Sequence, residues 1–441
     1  MKKYVLSILI ATFAAISSNA QEKTEIVKTG YNFGPLPIVA FDQDRGFQYG
    51  ALLNLYNFAD GSTYPQAKSQ WYFEASAYTK GSQLFVVSFD SKYLIPGIRL
   101  SVTGLLSNET AMDFYGFNGY NSYFDHERMN SEYFSPFYRY KRMAPNFKAD
   151  LNGSIIPGKL YWLAGYHFNW YDIQNIDLAN INKGKDDADK FTGQTLFEKY
   201  KAWGIVPEDE ANGGFSSALR LGLMFDTRDQ EAAPSKGIWA EATAVMAPGF
   251  LGTTNPYARY ALTLRQYLPL AGEDLVFAYR LNYQGTMGKS APFYVLPYLT
   301  IVGQGYDRDA TGGYRTVRGM MRARVQGLDV AFYNAEIRWK FIHFQALKQN
   351  ISLGLSAFCD GATTVRDYDM SYKPASGGNN ALKAEYDQYM AKGTKEGLHI
   401  TAGAGFRFIM NRNFIIAVEY GKAFNKQDGN GGLYINTGYL F

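Results

Sequence analysis

The 441-residue sequence predicts an all-β fold, antiparallel strands closed into a transmembrane barrel. Three observations predict it. Segments alternate apolar and polar residues with a period of two, at roughly the 9–11-residue length that a tilted membrane strand requires. With 35 Tyr, 31 Phe and 6 Trp the chain is 16% aromatic, yet its mean hydropathy is only −0.26. That balance is expected when lipid-facing residues alternate with polar lumen-facing ones and aromatics form girdles at both interfaces. Finally, beyond the first twenty residues no stretch approaches the ~20 consecutive apolar residues of a spanning helix. A soluble β-sandwich also alternates, but outward aromatic content and strand length favour the membrane barrel.

In chain order, Lys2 and Lys3, an apolar run from Tyr4 to Ile16, and small residues at Ser18 and Ala20 read as a secretory signal peptide over residues 1–20. Residues 21–34 are expected to be a short periplasmic segment and 35–441 the barrel. Alternation is explicit in several segments. Leu160, Trp162, Ala164, Tyr166 and Phe168 oppose His167 and Asn169, and Leu275, Phe277, Tyr279, Leu281 and Tyr283 oppose Arg280, Asn282 and Gln284. Leu398, Ile400, Ala402, Ala404, Phe406 and Phe408 oppose His399, Thr401 and Arg407. Phe414, Ile416, Val418 and Tyr420 oppose Ala417, Glu419 and Gly421, and Leu433, Ile435, Thr437, Tyr439 and Phe441 oppose Asn436 and Gly438. The roughly 420 residues left after cleavage allow sixteen strands of about 26 residues each with connections; 14 or 18 fit the composition too. Residues 181–214 and 364–396 break the pattern and read as long surface loops, the second with a short helix near Ala381–Tyr386.

Composition excludes several function classes. The formal charge of +4 falls to +2 without Lys2 and Lys3, too small a balance to imply nucleic-acid binding. The single Cys359 permits no intrachain disulfide and lies on the apolar parity of its strand. Four histidines, His126, His167, His343 and His399, show no metal-ligand spacing. Asp307-x-Asp309-x-Thr311-Gly312 begins like a calcium loop, but Arg318 occupies the position of the bidentate glutamate. With no Gly-x-Ser-x-Gly, phosphate loop or nucleophile motif, the sequence calls for neither enzyme nor cofactor.

One stretch points further. In Gly312-Gly313-Tyr314-Arg315-Thr316-Val317-Arg318-Gly319-Met320, the glycines permit a tight loop with close backbone approach, and Arg318 offers a five-donor fork suited to carboxylates. By parity Glu336 and Arg338 share the polar face opposite Ala335, Ile337 and Trp339, as Asp360 does opposite Leu355, Ala357 and Cys359. Upstream lie Asp226-Thr227-Arg228-Asp229, Pro234 and Gly237, which read as a strand end, polar turn and strand start. The chain closes Gly438-Tyr439-Leu440-Phe441. In this order, these motifs resemble the barrels of the BamA/TamA-type superfamily of outer-membrane insertases and translocases. Val317-Arg318-Gly319-Met320 corresponds to the inward-folded sixth loop. The acidic strand departs from the family's Asp-x-Gly, reading Asp360-Gly361-Ala362.

The resemblance implies sixteen strands in the outer membrane, with Arg318 folded back into the lumen against Asp360, Glu336 or both. Gly438, Tyr439 and Phe441 would be the signal read by the barrel assembly machinery. The first and last strands would meet at a weakly paired seam near Ile38 and Phe441 that works on polypeptide or lipid. The family usually carries periplasmic POTRA modules. The short stretch before Pro35 leaves no room for one here, so a separate periplasmic partner is expected to substitute. Two other classes remain open. A passive channel would use Arg220, Arg228, Arg280, Arg338 and Arg407 for selectivity, and a surface-binding barrel would use the long loops.

Overall fold

A computed structural model describes residues 27–42, 46–64, 66–126, 136–230, 233–299, 310–346, 349–374, 378–410 and 414–441. The signal peptide and the Asp307–Asp309 stretch lie outside these residues. Sixteen strands are described: β1 Tyr31–Asp42, β2 Gly46–Asn57, β3 Ser69–Tyr78, β4 Gln83–Ile95, β5 Ile98–Asp113, β6 Arg139–Ile156, β7 Leu160–Gln174 and β8 Gly213–Asp226, then β9 Gly237–Ala247, β10 Tyr257–Ala271, β11 Leu275–Met287, β12 Asp329–Ala346, β13 Gln349–Arg366, β14 His399–Met410, β15 Phe414–Ala423 and β16 Gly432–Thr437. Each pairs antiparallel with its sequence neighbours, and β1 meets β16 to close the barrel. No helix among the described residues is long and apolar enough to cross a membrane; the crossing is made by strands, whose backbone groups are satisfied by their neighbours.

The period of two decides which side chains see lipid. In β8, Leu219, Leu221 and Leu223 are exposed on the outside, while the alternate residues Ala218 and Arg220 are buried in the lumen. In β12, Ile337 and Trp339 face out and Glu336 and Arg338 face in.

Sequential antiparallel pairing places both termini at one end, where the connections are short. The long connections after β5, β7, β11 and β13 all lie at the other end. The two stretches expected to be long surface loops lie at this mouth, where they share a buried core with the β5–β6 and β11–β12 connections. Phe114, Phe117, Phe197, Tyr200, Trp203, Phe293 and Tyr368 belong to one cluster, with edge-to-face pairs such as Phe114–Tyr200 at 5.2 Å. Such pairs contribute about 0.5–1.5 kcal/mol beyond their buried area. Helix Leu196–Ala202 is fixed within the cap by a capping box in which Thr195 and Glu198 bond each other's backbone, and helix Asn380–Met390 packs beside it, where Trp203 meets Tyr389 at 5.3 Å.

The seam is the weakest joint. Among the described residues β1 and β2 pair over twelve positions, whereas β1 and β16 pair at two, Phe41 with Ile435 and Asp42 with Tyr434. The parity of β16 breaks at Gly438, whose φ of 85° is a left-handed conformation that glycine adopts without strain. As a result Tyr439 and Phe441 do not continue the outward face with Leu433 and Ile435. They turn into the lumen, where Phe441 packs with Tyr267, Val276 and Ala278.

Candidate functional site

The connection from β11 to β12 descends into the lumen. Its tip is a compact turn: the Gly312 N–H donates to Thr316 Oγ1 at 2.8 Å, the Gly313 N–H to the Met320 carbonyl at 2.9 Å, and the Thr316 hydroxyl to the Gly312 carbonyl at 3.0 Å. Val317 and Met320 bury against Leu299, Val330, Phe332 and Ala362. The barrel wall holds the turn from outside, as Asn334 Nδ2 donates to the Thr316 carbonyl at 2.6 Å and Arg280 Nη2 to that of Arg315 at 3.0 Å.

This packing delivers Arg318, fully buried, to three carboxylates on three strands. Its Nε and Nη2 donate to Asp360 Oδ2 and Oδ1 at 2.8 and 3.0 Å, a bidentate fork, and its backbone N–H also bonds Oδ2 at 3.1 Å. Nη1 donates to Glu336 Oε2 at 2.8 Å and to Glu419 Oε1 at 2.7 Å. The guanidinium lies 3.6 Å from the centre of the Phe358 ring. Two more cations share the acids: Arg407 Nη2 stands 2.9 Å from Glu336 and 2.7 Å from Glu419, and Arg338 Nε 3.1 Å from Glu336. Three cations thus face three carboxylates, which removes the uncompensated charge that burial would otherwise penalise.

The departure at Asp360-Gly361-Ala362 leaves the strand intact. β13 continues to Arg366, with Asp360 mid-strand opposite Asn334. Cys359 contacts the Tyr333 hydroxyl at 3.5 Å on the neighbouring strand.

Parity and spacing in the sequence do not single out Glu419, Arg322 or Arg324, and they offer Arg407 only as a selectivity residue of a channel. Arg322 Nε donates to Asp113 at 2.9 Å, and its Nη1 bonds Glu109 on the same strand β5. Arg324 takes the carbonyls of Gly119 at 2.8 Å, Ser122 at 3.1 Å and Gln427 at 2.8 Å, joining the β5–β6 and β15–β16 connections. The loop is therefore tied to β12, β13 and β15 on one side and to β5 on the other. It also reaches the seam strand, the Gly319 N–H donating to the Tyr434 hydroxyl at 3.0 Å.

The Asp226 motif forms a separate turn at the short-turn end. Asp226 grips the Arg228 side chain at 2.9 and 3.0 Å, and Arg228 stacks on Trp239 of β9 at 4.2 Å. Asp229 accepts from the backbone of Ser235 and Lys236, which follow Pro234 and lead to Gly237. Of the proposed selectivity arginines, Arg220, Arg280, Arg338 and Arg407 are buried in the lumen, whereas Arg228 belongs to this turn.

Outside the membrane strands, two cap carboxylates are displaced in opposite directions. Burial pushes Glu210 up to about 7, with Asp209 adding to the shift and the Phe293 N–H opposing it. Burial also acts against ionised Glu396, but His399 and the backbone N–H groups of Thr364 and Tyr120 outweigh it and hold the acid below its usual range.

Fold and site together define a transmembrane β-barrel of the outer-membrane type, its lumen plugged by its own arginine-pinned loop. The chain belongs to the Omp85 superfamily, whose domain matches residues 74–441. No curated protein matches it in sequence. Among solved structures it is similar to BamA from Haemophilus ducreyi lacking POTRA domains 1–3, with 16% identity over 93% of this chain and 70% of that one and a TM-score of 0.55. It is also similar to CdiB from Escherichia coli, with 10% identity over 94% of this chain and 64% of that one and a TM-score of 0.55. At these identities the likeness is one of fold, and the chain spans just under two thirds of CdiB.

Proposed function

We propose that this protein sits in the outer membrane of a Gram-negative cell and assists the insertion or translocation of polypeptide, or of lipid, with the β1–β16 seam as its working edge. The observation that carries the reading is the contrast between a blocked lumen and a barely paired seam. The cap core and the pinned loop fill the axial route, while β1 and β16 share two paired positions among the described residues. An unpaired strand edge templates further strands, so transfer proceeds sideways rather than along the axis. Arg318 holds the loop that backs this seam from inside.

A separate periplasmic partner delivers the client in this scheme. A vestibule of about 520 Å³ at the short-turn end supports this, offering Glu273, Asp274, Lys340, His343 and Asn350 to such a partner.

The test is depletion of the protein in its native host followed by quantitative comparison of outer-membrane and surface-exposed proteins. Selective loss of particular surface proteins, restored by the native chain and not by Arg318→Ala, is the expected result. An unchanged surface proteome, with steady single-channel conductance from the purified barrel, would replace this reading with a solute channel.

A further inference from the structure

Arg259 is a buried cation without an acid. Its place follows from the period of two in β10: Leu262 is exposed on the outside, while Arg259, Ala261 and Thr263 share the opposite parity and are buried in the lumen. Arg259 is only 5% exposed. A guanidinium keeps its proton at any ordinary pH, so burial leaves it charged, and a buried charge calls for a counter-charge. Other lumenal arginines have one: Arg318 takes Asp360, Arg322 takes Asp113, Arg142 takes Glu109 and Arg220 takes Asp150. Among the described residues Arg259 forms no such pair, and its Nε and Nη2 have no hydrogen-bond partner.

The fork shows which edge is open. Arg259 Nη1 donates to the carbonyls of Val295 at 2.8 Å and Tyr298 at 3.0 Å, in the turn that begins the connection from β11 to β12. The open edge carries Nε and Nη2, the same two donors with which Arg318 holds both oxygens of Asp360 at 2.8 and 3.0 Å. At Arg318 the fold supplies the anion. At Arg259 it supplies a cavity of about 30 Å³, lined also by Asn146, His167, Asn169 and Tyr298. Asp150, which lies 3.4 Å from His167, is already held by Arg220 at 3.2 Å and Lys148 at 3.6 Å.

The size of the cavity limits the occupant. A water takes roughly 10–15 Å³ of such space, so the room suits one monatomic ion and is too small for a phosphate or a lipid headgroup. Asn146 Oδ1 also lacks a donor. A water would serve that oxygen but would not neutralise the guanidinium, whereas a halide accepts from both N–H groups of the open edge and cancels the charge.

We propose that Arg259 binds a chloride ion on its Nε and Nη2 edge, and that the ion, by fixing the guanidinium, holds the Val295 to Tyr298 turn and with it the start of the lumenal loop against the barrel wall. The site is independent of the seam and of what the barrel moves.

Hydrogen exchange at constant pH and ionic strength tests it, with the purified barrel in sodium gluconate, whose anion is too large for the cavity, and in sodium chloride. Protection of residues 293–298 is expected to rise saturably, by about tenfold once chloride reaches roughly ten times its dissociation constant, with bromide acting as chloride does. In Arg259→Gln the response should vanish while the rest of the protection pattern is retained. Protection that ignores the anion in the native chain, or a response of equal size in Arg259→Gln, would overturn the proposal. Should the variant fail to assemble, crystals of the native barrel grown in bromide decide: an anomalous peak at the open edge is the expected result, and water density there without one is equally fatal.

Discussion

Gly319 of the lumenal loop and Gly421 of β15 meet backbone to backbone: a Cβ on Gly319 would lie 2.4 Å from the Gly421 carbonyl carbon, and one on Gly421 would lie 2.8 Å from that of Arg318. Gly319 also has a φ of 88°. This approach lets Arg318 reach Glu419, two residues from Gly421, at 2.7 Å. Gly421→Ala is expected to push the loop off the wall without touching any charge, at a cost of about 1–3 kcal/mol from overpacking. Limited proteolysis of the folded barrel should then cut within residues 310–328, where the native chain resists. An unchanged digestion pattern would show that the contact is incidental.

Removing the arginine itself should cost more. Arg318→Ala leaves three buried carboxylates to two cations, and breaking a buried pair in this way costs about 3–5 kcal/mol. Among the described residues the Asp360 carboxylate bonds only Arg318, so it becomes the unpaired charge. Adding Asp360→Asn to Arg318→Ala should therefore restore part of the loss. Urea unfolding in lipid vesicles measures both variants, and a double variant no more stable than the single one would refute this assignment of the cost.

The cap should loosen as pH rises. Burial lifts Glu210 from an ordinary 4.5 to about 7, so the folded cap keeps a proton that the opened cap releases. A raised acid favours the folded state fully below about 4.5, and that contribution declines as pH climbs through 7. Its Oε2 accepts from the Phe293 N–H at 2.8 Å, joining the β7–β8 connection to the plug loop. Hydrogen-exchange protection factors in residues 288–299, which remove the intrinsic rise of exchange with pH, should fall between pH 5 and 7, and Glu210→Gln should flatten that dependence.

The sequence exposes parts of this site unequally, because parity reports direction and not distance. Strand alternation places Glu336 and Asp360 on the polar face, and they stand in the lumen. The same parity applied to Glu419, the one acid in β15, would have added the third carboxylate. Arg322 and Arg324 lie in a loop with no period, and their partners are some two hundred residues earlier or one hundred later in the chain, a pairing only the folded barrel creates. Alternation carried through Gly438 puts Tyr439 and Phe441 on the outward face, whereas the single left-handed residue there turns both into the lumen.

Arg324 gives the last prediction, since it separates the plug from the cap. It contacts none of the three carboxylates that hold Arg318. Instead it bonds carbonyls of two outer connections and stands 3.8 Å from Asp428, which also accepts from the Tyr120 hydroxyl at 2.7 Å. Hydrogen bonds to a charged group contribute about 1.5–3 kcal/mol each, so Arg324→Ala removes enough to part the β5–β6 and β15–β16 connections. Planar-bilayer recordings should show a conductance that the native barrel lacks, while the Arg318 cluster stays intact and the lower loop remains protease-resistant. In Arg318→Ala the order reverses, with a cut loop beneath a cap that still seals. If both variants leak alike, plug and cap are one mechanical unit, and Arg318 and Arg324 act as a single clamp.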